Sequence, residues 1–310
     1  MTSLSLRRKR IISRGANAVW SVFRGVIILG ICYVIFYPLI VKIPSSFMRE
    51  VDMFDKTVQF VPRFLYLENY KVVWEHMEYP LAFWNSVKLT TVVSVLQLAA
   101  CTFIGYGFAR FKFWGRSLLF GAVVFTLVVP PQMIMIPLYL NFRYFTFFGL
   151  IPEPGINLLG SYWPFVITAL TGTGLRNGLF IYIMRQFFRG ISKSLEEAAY
   201  IDGAGPFRTF LQVMLPNAKP AMLTVFLFAF VWQWNDYFFT SIYMSNAKVL
   251  PVMLDRVSFD VMKTANYISD HYMSILDNTG MVLFIVPLLI LYAVLQRYFI
   301  EGVERTGLVG

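Results

Sequence analysis

The chain has 310 residues, of which 57% are apolar and 14% charged, with a formal net charge of +10. Ordinary globular domains carry about 45–50% apolar and about 25% charged residues, so this composition excludes a soluble chain: it has too little polar surface to cover such a core. The Lys and Arg residues lie in clusters between long apolar runs rather than along one stripe, which excludes a nucleic-acid binder and is what membrane orientation requires.

The chain opens on a basic segment, Arg7, Arg8, Lys9 and Arg10, expected as a short N-terminal tail over 1–17. An apolar run from Val26 to Val41 follows without a small-residue cleavage pattern, so 18–41 reads as an uncleaved first span and not a secretory leader. A helix crosses the hydrocarbon core in about 20 residues. Five further segments fit: 81–109, 117–142, 161–184, 220–244 and 278–296. The expected fold is therefore all-α, a polytopic membrane protein with six transmembrane helices.

Loop charge sets the orientation. The segments before span one, between two and three, between four and five, and after six hold about 15 Lys and Arg against about 9 on the other side. Both termini are therefore expected in the cytoplasm. On the opposite side Asp255, Asp260, Asp270 and Asp277 precede the last span. The external segment 42–80 carries Phe47, Phe54, Phe60, Phe64, Tyr66, Tyr70 and Trp74. So many rings predict a folded lid and not a tether.

Several spans contain breakers. Pro130-Pro131 removes two backbone donors from the third, Gly172 and Gly174 loosen the fourth before Arg176, and Pro287 sits in the sixth. Broken helices at membrane depth persist where neighbours or a cavity satisfy the freed groups. They suggest a translocation path, with ordinary kinks as the alternative. Arg176 is expected to pair with a carboxylate or a loosened backbone, and Lys88 to snorkel; neither reads as a site. Cys32 and Cys101 fall in apolar runs without a CxxC neighbour, and His76 and His271 are isolated, so neither a disulfide framework nor a metal site is expected.

The cytoplasmic loop 185–219 reads as two short helices. Ser194 and Glu197 stand at capping-box spacing, Gly203 suits a left-handed helix end, and Pro206 suits the first turn of a second helix. Phe207, Phe210, Leu211 and Met214 then form an apolar face, closed by Pro216. Such a hairpin fits a groove on a partner protein, or equally packs beneath the bundle as internal support.

Glu197-Ala198-Ala199, Gly203 after three further residues, and Val213-x-Leu215-Pro216 after nine more resemble the EAA loop of permease subunits in bacterial and archaeal ABC importers. The usual form has Ile in place of Val213. Tyr200-Ile201-Asp202-Gly203-Ala204, Trp234-Asn235-Asp236, and Gln296-Arg297-Tyr298-Phe299 with a Gly-rich tail are similar to the maltose-type carbohydrate permeases, over essentially the whole chain. The resemblance implies a type I importer permease fold, with a core over 81–310. It implies that Glu197, Ala198, Ala199, Asp202, Gly203 and Pro216 couple to a cytoplasmic ATPase, with Phe207, Phe210 and Leu211 filling its cleft. It also implies a second permease subunit, more often a different chain, two ATPase subunits, and an extracellular solute-binding protein that delivers a sugar. The implied location is the bacterial or archaeal cytoplasmic membrane.

The sequence carries no Gly-x-x-x-x-Gly-Lys-Ser/Thr element, and Gly172-Thr173-Gly174 lies in a span with no Lys following. No catalytic residue set appears, so the chain is expected to be no enzyme and to hold no cofactor, ATP and magnesium being bound by the partner ATPase. Asp236 stands in the fifth span beside Trp232, Gln233, Trp234 and Asn235. Rings with amides and a carboxylate grip a sugar well, so these five are candidates for the sugar path; a polar cluster that fixes helix packing is the alternative. The EAA loop is shared among importers, so a peptide or polyamine importer remains open, as does a membrane scaffold.

Overall fold

The computed structural model describes residues 2–55, 57–58, 60–147 and 149–307, with side chains from 19 to 296. The side chains of the basic N-terminal segment and of Arg297-Tyr298-Phe299, and the end of the Gly-rich tail, lie outside the described residues. Two compact units divide the chain: 1–73 with 258–282, and 74–257 with 283–310.

The first unit is built on helix α1, Thr2–Ser46. The most apolar part of its 28-residue stretch Val19–Ser46 has no buried residue, as a surface meant for lipid or another subunit would, and only its C-terminal end, at Ser45 and Ser46, is covered. The helix ends where Ser45 and Ser46 turn their hydroxyls back onto the carbonyls of Val41 and Ile43. It thus runs past the expected boundary at 41. The segment that follows is partly helical. It contains α2, Glu50–Met53, and the start of α3, Glu68–His76. Buried Asn69 donates to the carbonyls of Ser46 and Met48 at 3.1 and 2.9 Å, and the Tyr70 hydroxyl meets that of Ser46 at 2.7 Å. Thr279, near the start of a long last helix, also donates to the Ser46 carbonyl.

The second unit is organised around α4, Tyr79–Arg110, which packs most widely on α7 (Trp163–Leu170), α8 (Asn177–Gly190) and α12 (Lys219–Trp234). Early in α4, Leu89 and Val93 join a cluster with Phe142, Phe165 and Tyr243. Further along, Cys101 and Tyr106 join Phe180, Met184, Phe188, Phe210 and Met214.

The expected six crossings are not six continuous helices. Among the described residues three single helices are long and apolar enough to cross a membrane: Val19–Ser46, Tyr79–Arg110 and Asp270–Gln296. The other three expected crossings are each made of two pieces. The third is α5, Arg116–Phe125, and α6, Pro131–Arg143, parted where Pro130 is extended and Pro131 starts the new helix. The fourth is α7 and α8, parted by left-handed Gly172 and Arg176. The fifth is α12 and α13, Phe238–Tyr243, parted at Asn235, Asp236 and Tyr237. By contrast Pro287 does not end the last helix, Asp270–Gly307. A single Pro inside a long helix removes one bond, which a helix of this length sustains.

Candidate functional site

Two places in the second unit carry the residues singled out above. The first is the hairpin. Helix α8 runs to Gly190, so the free part of the loop begins at Ile191, where the backbone turns extended. Helix α9 is Lys193–Ile201. Its cap is Ser192, whose hydroxyl accepts from the Ser194 amide at 3.3 Å, and not Ser194 as the capping-box spacing suggested. The helix begins two residues earlier, so Glu197 is no longer three residues past the cap and the reciprocal bond cannot form.

The C-terminal end is as expected. The Ala204 amide donates to the Ala199 carbonyl and the Gly203 amide to that of Tyr200, at 2.9 and 3.0 Å. Gly203 takes φ +79° between these two bonds. This is a Schellman ending, and the positive φ is why glycine stands there. Helix α10, Pro206–Thr209, leads into a π turn over Phe210–Met214 and a short α11, Leu215–Asn217. Pro216 has no amide to offer Gln212, and its ring crowds that carbonyl; widening the turn to a Leu215–Phe210 bond relieves both. The segment then bends by 75° into α12.

The hairpin has two distinct faces. Glu197, Ala198, Asp202, Gly203 and Pro216 are exposed, and so are Phe207 (67%) and Leu211 (40%). Phe210 is the exception among the expected cleft-filling residues. It is 3% exposed and packs on Phe103, Tyr106 and Phe188. The π turn sets Phe210 and Met214 inward and leaves Phe207 and Leu211 outward, splitting the face that simple helical spacing had drawn as one.

Glu196 was missed. Its carboxylate is buried and accepts a hydrogen bond from the Tyr106 hydroxyl at 3.1 Å. The Arg110 Nε lies 3.4 Å away, an ion pair without an aligned hydrogen bond, while the Arg110 Nη2 donates to the Ile191 carbonyl at 2.6 Å. The available signal was the Glu-Glu pair itself: consecutive helical residues point about 100° apart, so at most one of the two carries an outward role.

The second place is a cavity of about 690 Å³, within the roughly 300–1,000 Å³ of ligand pockets. Its wall is made by the breaks in the three interrupted crossings: the whole of 125–131, the whole of 172–178, and Gln233 with Asp236. From α4, Gln97 reaches in and donates to the Leu175 carbonyl at 3.1 Å. The amide nitrogen of Gln233 and both side-chain polar atoms of Asn177 are buried without a hydrogen-bond partner.

Asp236 also has a structural duty. Its two carboxylate oxygens accept from the amides of Phe239 and Thr240 and from the Thr240 hydroxyl, at 3.0–3.2 Å, and so cap α13. The expected five-residue lining separates. Gln233 and Asp236 border the cavity, whereas Trp232, Trp234 and Asn235 do not. Trp232 stacks on Phe180 and Phe228, Trp234 sits among Phe83, Phe230 and Phe284, and Asn235 bonds back to Val231. Trp232, Gln233 and Trp234 point to different sides of α12 at 100° steps, and the helix ends before Asn235 and Asp236. Among the described residues Arg176 has no carboxylate partner; its guanidinium lies 5.5 Å above the Trp232 ring at the cavity edge.

Residues 101–305 match the family model described as "Binding-protein-dependent transport system inner membrane component". The chain belongs to that family. Among curated proteins it is similar to a probable ABC transporter permease of Bacillus subtilis, 27% identical over 98% of this chain and 91% of that one. It is 34% identical to an osmoprotective compounds uptake permease of Synechocystis, over 77% of this chain and 73% of the relative. An alpha-glucoside transport system permease of Rhizobium meliloti is 31% identical over 80% and 61%. Among solved structures it resembles a chain of a bacterial ABC transporter involved in the import of the acidic polysaccharide alginate, with a TM-score of 0.71 and 23% identity over 92% of this chain and 98% of that one. That likeness shows the fold. The matched segment contains the hairpin and all of the cavity wall except Val93 and Gln97, whereas the segment after α1 lies before it.

Proposed function

We propose that the chain is one of two permease subunits of an ABC importer for carbohydrate. Two cytoplasmic ATPase subunits bind ATP and magnesium and drive it, and an extracellular binding protein delivers the sugar. Both termini and the hairpin face the cytoplasm, as the distribution of Lys and Arg asks. The second permease is a different chain. In this reading Glu197, Phe207 and Leu211 meet the ATPase, Gly203 shapes the bend, and the cavity beside Gln233 and Asp236 forms part of the sugar path.

The observation that carries the reading is the two-faced hairpin. One face is fastened to the second unit by Glu196 and Phe210, while the other presents a carboxylate and two apolar side chains with no covering. A docking surface needs such an arrangement; a hairpin that served only as internal support would bury its apolar residues. Carbohydrate is supported by relatives named for alpha-glucosides, arabinooligosaccharides and maltodextrin.

Coexpression with the ATPase and second permease, followed by reconstitution and uptake of labelled maltooligosaccharide, tests it. Copurification of the ATPase and sugar uptake dependent on both ATP and the binding protein are expected. Uptake confined to a peptide or polyamine in the same assay overturns the sugar assignment, and failure to hold any ATPase overturns the importer.

A further inference from the structure

We infer that Glu196, and not its exposed neighbour, fixes the hairpin mechanically to α4, so that displacement of the hairpin moves the bundle. The inference rests on the importer reading above and assigns Glu196, Arg110 and Tyr106 as positioning residues for coupling.

Three relationships carry it. First, a single guanidinium holds the first leg of the hairpin at two points. Arg110, the last residue of α4, donates to the Ile191 carbonyl at the hinge and faces the Glu196 carboxylate inside α9. With both points tied, the leg cannot swing about Ile191 without breaking one of them. Second, Tyr106, one helical turn earlier, touches both legs. Its hydroxyl donates to Glu196, and its ring packs on Phe210 of the second leg at 4.7 Å between centroids. Third, the pair is sheltered: the side chains of Arg110 and Glu196 are 7% and 11% exposed. Water and salt screen such a contact far less than a surface ion pair, and removal of either partner strands the other charge in a buried site.

Without this clamp the first leg has little to hold it in place, since Glu196 is the buried residue of α9, whereas the second leg keeps Phe210 and Met214 in the core. Helix α9 has nine residues and α10 four, below the about 12–15 at which an isolated helix persists in water. The loop docks a partner through one face, and that face transmits force only if the opposite face does not yield. Glu197 and Glu196 therefore divide the work between contact and anchorage.

The test compares Glu196→Ala, Glu196→Gln and Glu197→Ala in the full importer complex. Hydrogen exchange reads the hairpin amides, copurification reads assembly, and sugar taken up per ATP hydrolysed reads coupling. Glu196→Ala is expected to speed exchange across 193–203 by about tenfold or more, since it lowers the local opening free energy. It should cut sugar per ATP several-fold while the ATPase still copurifies. Glu196→Gln, which keeps an acceptor for Tyr106, is expected to fall between. Glu197→Ala should leave exchange unchanged and weaken copurification instead. Exchange unmoved by Glu196→Ala, or faster exchange with sugar per ATP at the wild-type ratio, overturns the inference alone. Wild-type protein that retains no ATPase overturns the importer reading and takes this one with it.

Discussion

Gly105 and Met184 bring α4 and α8 into close approach: a Cβ placed on Gly105 would lie 2.6 Å from the Met184 Cβ and 3.0 Å from the Arg185 amide nitrogen. Helices α4 and α8 touch backbone to side chain there because glycine leaves the room, as small residues do at membrane helix interfaces. Gly105→Ala must push the two helices apart, because the obstructing atoms are backbone and Cβ and cannot rotate away. Overpacking of this kind costs about 1–3 kcal/mol. The expected result is a lower unfolding temperature in detergent, whereas Gly107→Ala, with nothing within 4 Å of the added carbon, leaves it unchanged.

Gly203 gives a different kind of cost. Nothing lies within 4 Å of a Cβ built on it, but its φ is +79°. Gly203→Ala therefore brings backbone strain without a clash, about 1–2 kcal/mol. Gly203→Pro adds the loss of the amide that donates to Tyr200 and cannot adopt the angle at all. Limited proteolysis should show cleavage between 199 and 206 in the order Pro, Ala, wild type, with sugar uptake falling in the same order. Equal cleavage of all three would mean that the bend does not hold the hairpin.

Much of this was legible in the sequence for reasons that are local. Pro130-Pro131 removes two successive backbone donors, and Gly172 and Gly203 take positive φ because of their own backbone freedom. The relationships that were not legible are long-range. Arg110 and Glu196 are far apart in the chain, and neither is unusual in its own neighbourhood. Phe210 was placed on the outer face because helical spacing groups it with Phe207 and Leu211; the π turn before Pro216 changes that register, and spacing rules assume a regular helix. Ser192 displaced Ser194 as the cap because both are good caps and only the path of the chain leaving α8 selects between them. The breaks at Pro130-Pro131 and Gly172 were expected as separate weak points, the one at Asn235, Asp236 and Tyr237 was not, and the third one expected, at Pro287, does not interrupt its helix. That the three observed breaks meet around one cavity is a property of the packing.

Asn177 tests what the cavity is for. Both polar atoms of its side chain are buried and unpartnered, a condition that costs about 1–3 kcal/mol for each unsatisfied group. Asn177→Leu is therefore expected to leave the unfolding temperature equal or raised while sugar uptake falls. A stabilised protein with undiminished uptake would show that the orphaned amide plays no part in transport.

Asp236 combines a capping role with a place on the cavity wall, and two substitutions separate them. Asp236→Ala removes the acceptor for the Phe239 and Thr240 amides, and loss of a helix cap costs about 0.5–2 kcal/mol. Asp236→Asn keeps one oxygen acceptor but turns an NH2 toward a donor, so it should lose part of that amount. Gln233→Ala, by contrast, removes a cavity-lining amide nitrogen that has no hydrogen-bond partner. If Asp236 serves chiefly as a cap, uptake across Ala and Asn should follow the unfolding temperature, and Gln233→Ala should lower uptake with little change in temperature. If instead Asp236→Asn abolishes uptake at near wild-type stability, the carboxylate itself meets the sugar, and the cap is the lesser of its two duties.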